Sequence, residues 1–120
     1  MKILTLEGLL SERKWGEDDH DTLYCGNKIV AEWAEDNIGQ GKQITLRYWI
    51  TNKRCTKEEA LADFIETISG ASDTEWGARY SDVTGYLWTD EDFKVGGHDM
   101  INQLKSDIGK YLILEVEVHS

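Results

Sequence analysis

Residues 44–70 read ITLRYWITNKRCTKEEALADFIETISG, and two burial periods meet inside them. Ile44, Leu46, Tyr48 and Ile50 alternate with Thr45, Arg47, Trp49 and Thr51, the period of a strand with one apolar face. Thr56 and Glu59 have the spacing of a reciprocal capping box, in which each side chain accepts from the other's backbone amide. Glu58 and Glu59 also fall where a helix dipole is positive, and Leu61, Phe64, Ile65 and Ile68 recur at helical spacing. The stretch therefore predicts a strand, then an amphipathic helix that starts at Thr56, ends at Gly70 and packs its stripe on that strand.

Working outward, Lys2–Leu10 reads as a first strand, and Ser11–Asp21 as an exposed acidic loop around Trp15 and His20. Thr22–Trp33 reads as a second strand region, because Ile29, Ala31 and Trp33 fall in step; Gly26-Asn27 interrupts it, as a bulge in preference to a tight turn. Glu35–Gly41 is a loop, so this strand is expected to pair antiparallel with the one at 44–51. Downstream, Trp76–Tyr80 and Val83–Trp88 suggest a hairpin, and Asp90-Glu91-Asp92 an acidic turn. Asp99 is placed to cap a second helix with Met100, Ile101, Leu104 and Ile108 on its buried stripe, closed by Gly109. In the last strand, Tyr111–His119, Leu112, Leu114, Val116 and Val118 point inward while Glu115 and Glu117 face water. No internal repeat or linker stands out.

The expected fold class is α+β: a mainly antiparallel sheet of five or six strands, flat under its helices or curled into a small barrel. Two helices are expected, one between strands 3 and 4 and one before the last strand. This order is similar, at the level of topology alone, to an oligonucleotide-binding barrel with an extra helix.

The 120 residues suit one domain, and 40% apolar with 30% charged residues is the balance of a soluble globular protein. Twenty-three acidic against 13 basic residues leave a net charge of −10, which repels nucleic acid and anionic membrane and favours a basic partner. Met1–Leu10 is too short and too interrupted for a signal segment and nothing resembles a membrane span, so the cytoplasm is the expected compartment. There, Cys25 and Cys55 read as small core residues and not as a disulfide.

Chemistry-bearing patterns are sparse. His20 and His98 lie beside carboxylates, but no metal-ligand spacing is present, and Lys94 and Val95 spoil a calcium loop after Asp90 and Asp92. No nucleophile elbow occurs, and Gly39-Gln40-Gly41-Lys42 precedes a strand, unlike a phosphate loop. His98-Asp99 is explained by helix capping. No metal, cofactor or catalytic residue is expected. The five Trp and five Tyr are the more telling excess, since aromatic residues and Arg dominate interface energetics.

The leading expectation is a non-enzymatic acidic protein that docks on and inhibits a basic, often nucleic-acid-handling, partner protein. Its composition is similar to that of small phage-encoded inhibitors of host defence and of bacterial immunity proteins. The expected contact residues are Trp15, Glu17, Asp18, Asp19, Asp21, Asp90, Glu91, Asp92 and an outward-facing Trp49. The alternative is a nucleotide-binding module, within one chain or at a homodimer interface, that uses Arg47, Trp49, Arg79, Tyr80, Trp88 and His98.

Overall fold

A computed structural model of the chain describes residues 2–14, 21–52, 54, 56–60, 64–80, 82–85 and 87–119. The elements, in order, are β1 (Lys2–Lys14), β2 (Asp21–Cys25), β3 (Lys28–Ile29), α1 (Val30–Asn37), β4 (Gln43–Thr51), α2 (Lys57–Ala60), β5 (Phe64–Tyr80), β6 (Leu87–Val95), β7 (His98–Asp99), α3 (Met100–Lys105) and β8 (Tyr111–His119). One antiparallel sheet of order β3-β2-β1-β8-β4-β5-β6-β7 curls into a half-barrel, with α1 and α3 packed on its inner face. The α+β class holds, with eight strands instead of five or six and three short helices instead of two.

The strand order reads the same from either end when β1–β4 are matched with β5–β8, so the chain is built on an internal two-fold. The matching extends to atoms. Gly26 donates to Leu9 O at 2.9 Å as Gly96 does to Ala71 O at 3.0 Å. Leu10 exchanges two backbone bonds with Gly109 and Lys110, as Ser72 does with Gly41 and Lys42. Gly8 stands opposite Leu112 and Gly70 opposite Ile44, which makes Arg47 and Glu115 equivalent positions. Those two also face each other across β4 and β8, so the axis passes between them. A strict two-fold would set like charges there; the two copies of the position have opposite charges instead, and Arg47 bonds Glu115 and Glu117 at 3.2 Å each. This topology is not that of the oligonucleotide-binding barrel, and the repeat is a feature that composition and motif scanning did not reveal.

The predicted helix after Thr56 is the largest departure. Its capping box forms, with the Glu59 amide donating to Thr56 Oγ1 at 3.3 Å and the Thr56 hydroxyl donating to Glu59 Oε1 at 3.1 Å, but the helix described is only Lys57–Ala60. Leu61 lies outside the described residues. Phe64, Ile65 and Ile68 belong to β5, where Ile68 points inward and Ile65, displaced by a bulge against Tyr48/Trp49, is 52% exposed. Gly70 is mid-strand and ends no helix.

A second correction concerns residues 22–41. Gly26-Asn27 makes a hairpin turn between β2 and β3, and Val30–Asn37 is helical because Val30, Ala31, Trp33 and Ala34 bury one helical stripe. β4 consequently pairs with β5 and β8 and not with the strand before it. The hairpin at 76–88 forms with longer arms, and Asp90–Asp92 lies inside β6 and forms no turn. At α3 the cap and three stripe residues are as expected, with the Asn102 amide donating to Asp99 Oδ1 at 3.1 Å and Met100, Ile101 and Leu104 buried. The helix ends at Lys105, however, so Ile108 lies beyond it, 38% exposed, and Gly109 does not close it. The last strand forms with the expected alternation, but Glu115 and Glu117 do not face water: they are drawn to Arg47 with side chains 12% and 19% exposed, and Val118 is half-buried.

Leu6, Leu10, Leu46, Phe93, Leu104, Leu112 and Leu114 are sealed between sheet and helices, each worth roughly 1.5–3 kcal/mol of hydrophobic stabilisation. Thr74 shares this core. Its carbonyl accepts from Gln40 Nε2 at 2.9 Å, yet its Oγ1 is buried without a hydrogen-bond partner among the described residues. Thr74→Val keeps the shape and removes that cost, so urea unfolding is expected to show a gain of about 1 kcal/mol. A loss would mean that the hydroxyl is satisfied.

Candidate protein-interaction surface

Phe93 and Val95 face the core, so alternation sends Asp90, Asp92 and Lys94 to the outer side of β6. On β5 the buried Ser72 and Thr74 place Asp73 and Glu75 on the same outer side, with Asp73 opposite Lys94 and Glu75 opposite Asp92. β7 adds Asp99, also opposite Lys94. Five carboxylates thus share one face; Lys94 stands among them with its Nζ 3.7 Å from Asp92, and Arg79 is a later position on the same side of β5. Partial burial pushes the Asp92 carboxyl above its ordinary range; Lys94 opposes the shift, and Asp73 and Asp99 add to it. Crowded carboxylates of this kind raise one another's cost, and an approaching cation relieves it.

Glu91 points the other way. Its carboxylate accepts from the Leu23 amide at 3.2 Å and from Lys105 Nζ at 2.9 Å, which makes it a structural tie. Trp49 does face outward, but α2 covers it: Trp49 and Ile113 are each 2% exposed and pack with Ala60 in a small outer core. It is therefore not the exposed aromatic that alternation suggested. Asp21 opens β2, while Trp15, Glu17, Asp18, Asp19 and His20 lie outside the described residues.

The residues of the nucleotide alternative fall in separate places: Arg47 and Trp49 on β4, Arg79, Tyr80 and Trp88 in the β5/β6 pair, and His98 on β7. Arg47 sits at the centre of the sheet with both terminal nitrogens engaged by Glu115 and Glu117, and Trp49 is covered. Arg79 lies on β5 opposite Trp88 on β6, Tyr80 is next along β5, and His98 is exposed on β7. Cys25 is buried in the core, and that burial pushes its thiol up to about 12, as expected of a packing residue; Cys55 lies outside the described residues.

Sequence reading missed α1 and with it a second acidic row. Glu32 and Asp36, one turn apart, are exposed beside Trp33 along a groove of about 280 Å³, while Glu35 bonds the Trp76 amide at 2.6 Å. The available signal was the helical spacing of Val30, Ala31, Trp33 and Ala34, which leaves Glu32 and Asp36 on the other side. Among the described residues no group of three or more His, Cys, Asp or Glu side chains could hold a metal ion, and no helix is long and apolar enough to cross a membrane. Comparison of the chain with protein families, with curated proteins and with solved structures yields no match.

Proposed function

We propose that the protein works without catalysis, docking the outer face of β5, β6 and β7 on a basic protein and masking that partner's cationic surface. The observation that supports this reading most is the placement of Asp73, Glu75, Asp90, Asp92 and Asp99 on one sheet face, where acidic positions outnumber Lys94 and Arg79. The net charge of −10 steers such an encounter from a distance. Asp90 and Asp92 carry over from the sequence expectation, whereas Glu91 and Trp49 are committed to the fold. The nucleotide alternative has less support, because Arg47 is already held by two glutamates.

The test is capture from the source cell with the intact chain at stepped salt concentrations, beside an Asp73→Lys/Asp92→Lys variant. A retained basic protein should dissociate as salt shortens the screening length toward a few ångströms. The double reversal should weaken its binding at least about tenfold while leaving thermal unfolding nearly unchanged. Retention that ignores both salt and charge reversal would remove the proposal.

A further inference from the structure

A cleft of about 240 Å³ opens on the outer side of the first half of the sheet, over the contact between Gly8 and Gly26. Gly8 and Gly26 both line it, and a Cβ on Gly8 would stand 2.6 Å from Gly26 N on the inner side, so β1 and the turn after β2 meet here backbone to backbone. Glu7 lies opposite Ile113, and Leu9 opposite Tyr111, in adjacent rows of the β1/β8 register, and Arg54 approaches from the connection after β4. Glu7 and Arg54 thus bring opposite charges to the lining of one cleft. They form no ion pair with each other, and neither side chain bonds another described residue.

The internal two-fold supplies a built-in comparison. At the equivalent place the second half has the same close glycine pair, Gly70 and Gly96, but Ser69 stands where Glu7 does and Ala71 where Leu9 does. Thr45 and Gln43 replace Ile113 and Tyr111. The shared glycine contact follows from the fold; the charged and apolar lining belongs to one half alone.

We propose that this cleft binds a small zwitterion with an apolar side chain, the chemical class of a free aliphatic or aromatic α-amino acid. The ammonium group lies at Glu7, the carboxylate at Arg54, and the side chain against Leu9 and Ile113. At about 240 Å³ the cleft lies just below the range of drug-sized ligand pockets, which favours a ligand the size of an amino acid over a nucleotide. This site is independent of the acidic face.

Calorimetry and thermal shift on the full chain with L-leucine and L-phenylalanine, against L-leucinamide and N-acetyl-L-leucine, test it. The two zwitterions should bind saturably and raise Tm, and either capped derivative should bind at least about tenfold more weakly, because it lacks one of the two charges. Glu7→Gln and Arg54→Gln should each lose binding at least about tenfold without lowering the unliganded Tm, and Asp92→Lys should bind as wild type. No saturable binding by either amino acid, or binding that the capped ligands or the Glu7 and Arg54 variants share equally, overturns the proposal.

Discussion

Gly70→Ala will destabilise the protein by about 3 kcal/mol, because the new methyl group has nowhere to go. Its carbon would lie 2.5 Å from Gly96 Cα and 2.8 Å from Gly96 N, both main-chain atoms anchored by the Gly96 N–H bond to Ala71 O. A flexible side chain could swing aside; a hydrogen-bonded turn cannot. Gly8→Ala meets Gly26 at 2.6 Å in the other half, so the internal two-fold predicts a loss of similar size there. Gly97→Ala is the control: its φ of +86° strains an alanine, but nothing lies within 4 Å, and only about 1 kcal/mol should be lost. Chemical denaturation of the three variants checks the order. Equal losses at Gly97 and Gly70 would show that backbone conformation, and not the close approach, sets the requirement.

The same glycines show what was legible in the sequence and what was not. Where a local rule acts through a few neighbouring atoms, the reading was sound: Asp99 caps α3, Thr56 and Glu59 form their box, and β8 alternates as expected. β5 was misread because its inner face is not uniformly apolar. Glu66, Gly70, Ser72 and Thr74 share that face with Ile68. Each answers a tertiary demand: Glu66 takes bonds from Tyr48 and Gln103, Gly70 makes room for Gly96, and Ser72 holds the loop at Gly39 and Lys42. With the alternation hidden, the remaining apolar residues happened to fit a helix. α1 was lost by the opposite accident, since Ile29, Ala31 and Trp33 also satisfy a period of two.

The site was harder to read than the fold for a related reason. Composition reveals an excess of carboxylates but not which side of a strand they occupy, and Asp90-Glu91-Asp92 divides between both sides of β6. Arg47 and Trp49 share the outer side of β4, yet Arg47 meets Glu115 and Glu117 while Trp49 meets α2, outcomes fixed by β8 and by a four-residue helix. The internal two-fold left one trace. Gly26 and Gly96 are separated by the same number of residues as Ile38-Gly39 and Ile108-Gly109, a coincidence of turns that survives after most other side chains have changed.

Glu91→Ala should cost nearly as much as Gly70→Ala, about 3 kcal/mol, although it removes no core volume. The carboxylate ties three elements drawn from both halves: it lies on β6, its Oε2 accepts from the Leu23 amide of β2, and its Oε1 accepts from Lys105 of α3. The carboxylate is only 14% exposed, and truncation leaves an amide and an ammonium group with a partner missing. Glu91→Gln keeps an acceptor for one of them, so about half the loss should return. Coupling to Lys105→Met in a double-mutant cycle would isolate the ion pair from the amide bond. Amide exchange at Leu23 supplies the specific readout: protection there should fall in Glu91→Ala further than at Leu46 or Leu114, because the mouth of the half-barrel opens before its centre does. Unchanged Leu23 protection would mean that the curl is held by the core alone. The other half is tied differently: Glu35 of α1, at the position matching Lys105, accepts from the Trp76 amide of β5 directly. A lysine at that position cannot accept from an amide, and Glu91 supplies the acceptor through which α3 reaches β2.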